Sequence, residues 1–444
     1  KKQRKKEQNK NNILGKCVHS DGIQRRGDNV KLSFKFKPKL TELQLNIIEE
    51  LSFHTTKLYN IVNYDCRENG FKSYIEAEKE YKENWHNQFL HSHTYQQCLK
   101  VLEKNWKSYF ASIKDYKKNP NKYKGEPKPP KFKNHTNKKN EVIFTKAGIR
   151  VKNNILMLSL SKAMQEKFQV KSLNFSIDTE KLPVNFEALQ QIKIKWDNSI
   201  KQWYLILIYN KEEENKVTGN NIISIDLGRD NLATLTFLED TESYLIDGKV
   251  LKSKISYYNK EIARLNSIGM KQVGDSKKFK NTKQINKLYA KRDNFVNDYI
   301  HKASRKIIDL ALQHNCNTIV IGDIEGIKQE NNVKSFVNIP HQKLVDKIEY
   351  KAKLVGLKVV YAKENYTSGC SALDLENINK ANYDKSRRIV RGLFRSNKGI
   401  LVNSDVNGSL NILRKYVKDK CIPKLIQSVM DNGGLSTPLR IRVA

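Results

Sequence analysis

The chain has 444 residues, with 82 Lys and Arg against 47 Asp and Glu, a formal charge of +35 and a pI near 9.7. Such an excess repels itself unless a polyanion is present, which excludes an ordinary metabolic enzyme and points to nucleic acid as the partner. A membrane surface is the competing partner, but no window approaches about 18 uninterrupted apolar residues and no basic amphipathic anchor stands out.

The length predicts two or three domains. The six cysteines (Cys17, Cys66, Cys98, Cys316, Cys370 and Cys421) are scattered without a C-x-x-C pair. Neither a disulfide framework nor a four-Cys zinc site is encoded, which fits a reducing, cytoplasmic setting. The first ten residues are Lys-rich and no apolar stretch follows, so no secretion signal is read there.

In chain order, residues 1–27 read as a flexible basic arm. Val30 to Phe36 alternates apolar with polar, the period of a half-exposed strand, and Pro38 stops it. Thr41 has the look of an N-cap, with Gln44 completing a capping box. Leu43, Ile47, Leu51, Leu58 and Val62 then mark a long helix. A second helical stretch follows around 74–83, and a third over 95–116 with Leu99, Leu102, Trp106, Phe110 and Ile113 as its apolar stripe. Residues 114–140 hold ten Lys among Pro120, Gly125, Pro127, Pro129 and Pro130. That composition predicts an extended linker, with Lys128 and Lys131 lying on phosphates. Strand-like runs at 142–145, 155–160, 173–177, 191–196 and 203–209 predict a small β-barrel. The strand at 30–36 would complete it, leaving 41–118 as an inserted helical domain.

A further domain begins near Asn221. Ile222-Ile223-Ser224-Ile225-Asp226-Leu227-Gly228 reads as a buried strand carrying one carboxylate, followed by a tight turn and an antiparallel return at 231–237. Residues 251–314 carry 15 Lys or Arg against five Asp or Glu, predicting a basic helical hairpin broken near 269–274. Buried strands at 318–322 and 358–361, a helix at 344–354, an irregular basic span 365–404 and a last helix at 406–417 complete a β-β-β-α-β-α-β-loop-α order. This is a ribonuclease H-like layout, a mixed sheet with flanking helices.

A lone carboxylate in a buried strand is costly unless a partner or a metal satisfies it. Asp405, at the start of the last helix, supplies a second one. A turn-capping role is the competing reading for either Asp alone, and the pair weakens it. Together they predict a Mg²⁺ site, since that ion takes oxygen ligands and two such ions serve phosphodiester displacement. Three residues compete to be the third carboxylate. Asp323 and Glu325 follow the strand at 318–322, and Glu364 follows the strand at 358–361. If those strands are parallel, Gly322 and Glu364 share one sheet edge. Glu364 therefore ranks first and Glu325 second, while Asp323 is read as capping the following turn.

Ile225-Asp226-x-Gly228, Gly322-Asp323-Ile324, Glu364-x-Tyr366-Thr367-Ser368-x-x-Ser371, Arg391-Gly392-Leu393-Phe394 and Asn403-x-Asp405-x-Asn407-Gly408-x-x-Asn411-Ile412 resemble the RuvC nuclease motifs of the TnpB family. These are transposon-encoded RNA-guided DNA endonucleases, similar to type V CRISPR effectors. The likeness covers 220–420 most strongly, and Asn105-Trp106 through Lys131 resembles the family's basic segment. It implies a multidomain α+β and α/β chain: a wedge β-barrel (28–40 and 119–218), a helical recognition domain (41–118), a RuvC domain (219–420) and a tail (421–444). It also implies a structured guide RNA, a double-stranded DNA target with a directly read flanking motif, and two Mg²⁺ ions for which Mn²⁺ substitutes. One protein per RNA is expected, a dimer being the open alternative.

Two departures matter. The family's usual second-motif Glu falls on Gly322 here, and some relatives use a displaced glutamate near the Tyr-Thr-Ser motif, which is Glu364. Of the family's zinc-ribbon cysteines only Cys370 is present, with Leu373 and Ser396 at other positions, so no zinc is expected. The loop 370–402, with Arg387, Arg388, Arg391 and Arg395, is then expected to be held by packing and phosphate contacts. Tyr95, Gln96 and Gln97 are candidates for reading base edges or nearby phosphates, ordinary helix surface being the alternative. The Gly322 departure also keeps a second function open, a guided DNA-binding repressor with a weakened or dead nuclease site. A resolvase or transposase acting without RNA fits the fold but not the basic regions ahead of it.

Overall fold

The computed structural model describes residues 30–443 apart from 137–138, 181, 183, 214–216, 275–278, 324–338, 391, 419–421, 423–425 and 427–436. The chain forms two compact units, Lys31–Lys211 and Glu212–Ala444.

In the first unit, β1 (Val30–Phe36) leads into α1 (Glu42–Glu68) through the capping box read from the sequence. Gln44 N–H donates to Thr41 Oγ1 at 3.2 Å, and Thr41 N–H donates to Gln44 Oε1 at 2.8 Å. Helices α2 (Tyr74–Glu80) and α3 (Ser92–Lys118) follow. Ile47, Leu51, Leu58 and Val62 of α1 and Leu99, Leu102 and Trp106 of α3 are buried as their spacing predicts, whereas Leu43 and Phe110, at the outer turns, are exposed.

Seven strands in this unit divide between two sheets. One has the order β1-β7-β6-β2, built from β2 (Val142–Thr145), β6 (Leu189–Asp197) and β7 (Gln202–Lys211). The other is an antiparallel meander of β3 (Ile149–Lys152), β4 (Ile155–Ser159) and β5 (Ser172–Ser176), with the short α4 (Lys162–Phe168) between β4 and β5. Among the described residues there are thus two sheets where the sequence suggests one barrel. Pairing of β1 with β7 does make the helices an insertion between β1 and β2. Helices and sheets nonetheless share one hydrophobic core, so 118/119 separates no two cores.

The second unit is a layered α/β fold. Its sheet has the order β12-β11-β8-β9-β10-β16. Strands β8 (Asn221–Asp226), β9 (Asn231–Phe237) and β10 (Ser243–Asp247) form an antiparallel meander. β11 (Cys316–Asp323) lies parallel to β8, and β12 (Lys358–Lys363) lies parallel to β11. The hairpin of α5 (Lys249–Val273) and α6 (Lys283–Gln313) is present, and Gly274 ends α5 in a left-handed conformation, φ +69°. Ile223, Ile225, Ile319 and Ile321 face α6 and α7 (His341–Leu354). The opposite face, with Ile222, Val320 and Ala362, packs on α8 (Ser404–Val417).

Two expectations are corrected here. The span 365–404 is not irregular throughout: β13 (Arg388–Val390), β14 (Leu393–Arg395) and β15 (Leu401–Asn403) form a small antiparallel sheet. Its strands are three residues long and bury only Phe394 and Val402, too brief a pattern to read among arginines. Nor is 421–444 wholly a tail, because β16 (Leu439–Ile441) adds parallel to β10. No helix among the described residues is long and apolar enough to cross a membrane.

Candidate metal centre

Parallel register assembles the site. Ile225 pairs with Ile321 and Ile321 with Tyr361; one residue further on, Asp226, Gly322 and Ala362 come side by side at the carboxyl ends of β8, β11 and β12. Alternation then points all three toward α8, together with Ile222 and Val320. The helix is pressed onto that face by a buried hydroxyl cluster in which Ser224 Oγ lies 2.7 Å from Thr236 Oγ1 and 3.0 Å from Ser409 Oγ. Approach is so close that a Cβ on Gly408 would fall 2.6 Å from Asp226 Oδ2.

Glu364 follows β12 and is held by its backbone. Its carbonyl accepts hydrogen bonds from Thr367 N–H (3.1 Å) and Thr367 Oγ1 (2.7 Å). The segment after it is clasped by one face of α8. Asn407 Nδ2 donates to the Cys370 carbonyl at 2.9 Å, and Asn411 Nδ2 to the Thr367 and Cys370 carbonyls at 2.8 Å each. Lys415 Nζ donates to the Lys363 and Asn365 carbonyls at 2.8 and 2.6 Å. These residues recur every four positions, so one helical stripe fixes the path on which Glu364 rides. Sequence reading gave none of the three this part, although the four-residue spacing was the available signal.

Asp405 sits in the first turn of α8, where helix geometry favours a carboxylate. Asn403 caps that turn, its Oδ1 accepting from the N–H groups of Asp405 (3.0 Å) and Val406 (3.3 Å). Asn231, in β9, donates from Nδ2 to Asp405 Oδ2 at 2.7 Å and accepts from Arg440 at 3.0 Å.

Like charges crowd here. Burial first, then the Asp405 charge, raises the proton affinity of Asp226, with Arg388 opposing. Glu364 is pushed the same way by burial, then by Asp226 and Asp323, with Lys415 opposing. Glu364 Oε1 is buried and accepts no hydrogen bond. An orphan acceptor among carboxylates is what a hard divalent cation would satisfy, so the donor set fits Mg²⁺. Among the described residues no three His, Cys, Asp or Glu side chains converge on one ion position. The carboxylates are linked pairwise instead, with Asp226 as the member common to both pairs.

Beside Asp405 opens a cleft of about 1480 Å³, bordered by Arg229, Lys252, Tyr257, Lys260, Arg388 and Arg440 among others. Tyr257 is largely exposed there. Arg388 faces solvent, whereas Arg387 is drawn inward to Glu376 Oε2 at 2.7 Å.

The remaining sequence candidates fare differently. Tyr95 is buried, with its hydroxyl donating to the Glu78 carbonyl at 2.8 Å, and so belongs to the core rather than to a base-reading surface. Gln96 is half-buried and donates to Glu78 Oε1 at 2.9 Å, and Gln97 is half-buried. Lys128 and Lys131 are exposed on an extended segment that α1 holds: Asn60 exchanges two hydrogen bonds with the Lys133 backbone, and Asn63 binds the Pro130 carbonyl. Glu325 and Arg391 lie outside the described residues. Asp323 is half-buried at the end of β11.

Two family models match the chain: OrfB_IS605, described as a probable transposase, over 206–328, and the Cas12f1-like TNB domain over 341–412. The TnpB-like protein ORF457 of Acidianus two-tailed virus is 26% identical over 406 residues, 85% of this chain and 84% of that protein. The CRISPR-associated endodeoxyribonuclease Cas12f1 of Sulfoacidibacillus thermotolerans is 28% identical over 237 residues, 52% of this chain, and the match spans only about half of that relative (54%). A solved Cas12f1–sgRNA–target DNA complex superposes with TM-score 0.52 at 16% identity, covering 85% of this chain and 82% of that one, which supports a common fold. The motif stretches 225–228, 322–324, 364–371 and 403–412 all fall within the two matched regions, and the matches support a likeness to the TnpB family, with Cas12f proteins among the similar chains.

Proposed function

We propose that this protein is an RNA-guided DNA endonuclease that cuts target DNA beside a short flanking motif, using Asp226, Glu364 and Asp405 to hold two Mg²⁺ ions, with Mn²⁺ able to substitute. The observation that supports this reading is the pairing of buried Asp226, at the end of β8, with Asp405 of α8 and with Glu364 beyond β12, one buried Glu364 oxygen being left without a hydrogen-bond partner. Bound ions would supply an activated water and stabilise the leaving oxygen.

The chain's own residues do the rest. Asn231 orients the Asp405 carboxylate, and Thr367 with Asn411 holds the backbone that carries Glu364. The cleft beside Asp405 is lined by cations for the phosphates of a DNA strand and by an exposed Tyr257 on which a base would stack. A guide RNA and a double-stranded DNA target are the partners, as in the solved Cas12f1 complex, with guide pairing reading sequence and the protein reading backbone and flanking motif.

The test is plasmid cleavage by the protein purified with its co-expressed RNA, in Mg²⁺ or EDTA. Wild type is expected to cut only with the metal, and Asp226→Asn, Glu364→Ala and Asp405→Asn each to lose at least about a hundredfold in rate, roughly 2.7 kcal/mol of barrier. Tight RNA-dependent DNA binding by a wild type that never cuts would establish the repressor reading instead.

A further inference from the structure

Gly322 stands inside a strand, where glycine weakens pairing and ordinarily marks a close approach. Its backbone does not call for glycine, because it is not among the residues with positive φ. Space does. A Cβ built on Gly322 would lie 2.0 Å from Glu364 Oε1 and 2.8 Å from both Glu364 Cδ and Cγ. The colliding group is the far end of a side chain, so the strand itself has no reason to move. What must move is the carboxylate.

We infer that Gly322 is a positioning residue: the gap above its Cα is the seat of the Glu364 carboxylate, and this sheet face holds an acid from position 322 or from position 364, but not from both. Between Asp226 on one side and Ala362 on the other, Gly322 is the point where a strand-borne side chain and one reaching back from beyond β12 claim the same volume. Any larger residue at 322 evicts Glu364 while leaving the hydrophobic faces of the sheet untouched.

The inference rests on the proposed nuclease for its activity arm only. Gly322→Ala is expected to melt within about 3 °C of wild type and to bind guide RNA equally well. Its crystal structure should show the Glu364 carboxylate swung off the Gly322 Cα. Mn²⁺ affinity, measured by calorimetry without DNA, should fall by about 10–100-fold, with cleavage falling in step. The double variant Gly322→Glu with Glu364→Ala should bind Mn²⁺ and cut better than Glu364→Ala alone. A Glu364 carboxylate unmoved in Gly322→Ala, or a double variant no better than Glu364→Ala at binding Mn²⁺, overturns the inference. A wild type that fails to cut would sink the nuclease reading, yet the position of Glu364 in Gly322→Ala would still decide this one.

Discussion

Asp226 stands out in the sequence because it closes an apolar run, and Asp405 because it opens a helix; as a pair they weaken the turn-capping reading that either alone allows. Glu364 could be ranked first because parallel strands bring their carboxyl ends to one edge, and the register does place Gly322 beside Ala362, two residues before Glu364. The four-residue spacing of Asn407, Asn411 and Lys415 marks one helix stripe, but not what it holds, since these residues act on backbone carbonyls some 40 to 50 positions away. A pH dependence belongs at this scale. Asp226 and Glu364 both have raised proton affinity, so between the ordinary carboxylate range and neutrality the folded chain holds protons that the unfolded chain has released. The native state then binds more protons, and stability falls as pH rises through that window. Metal-free protein in EDTA is therefore expected to lose several degrees in Tm between pH 5 and 8. Mg²⁺ should raise Tm most at pH 8, because the ion competes with those protons. Asp226→Asn should flatten both trends in a scanning-fluorimetry series.

At the scale of elements, the long helices and inner strands were readable from their periods, down to the capping box at Thr41 and Gln44. The sheet of β13, β14 and β15 was not, because three-residue strands leave no period to detect. Its neighbourhood is organised by Glu376. That carboxylate accepts from Ser371 N–H at 2.8 Å and from Arg387, while its carbonyl accepts from Arg414 at 2.7 Å. Arg387 is thus spent internally, where phosphate contact was expected of it. The clasp from α8 is the stronger joint. Asn411 is fully buried, and Asn411→Ala would strip a donor from two carbonyls, a loss of about 2–4 kcal/mol in urea unfolding. Cleavage should fail in this variant at temperatures where guide RNA is still bound, which parallel binding and cutting assays would reveal.

For the molecule as a whole, charge was the most legible property and topology the least. The chain order of elements in the second unit was legible in the alternation of strands and helices, whereas the division of the first unit into two sheets depends on pairings that no local pattern specifies. A net charge of +35 predicts an affinity for nucleic acid that falls roughly a thousandfold or more between about 50 and 200 mM salt. Arg388→Ala should make the log–log slope for single-stranded DNA shallower by about one, a filter-binding titration being sufficient to see it. The clasp has a consequence for synthesis. Asp226 leaves the ribosome well before α8, but Glu364 has no fixed path and the third carboxylate no position until that helix, residues 404–417, has emerged and folded. On the proposed function, a nascent chain would remain unable to cut until α8 docks, however much of the chain ahead of that helix had already folded.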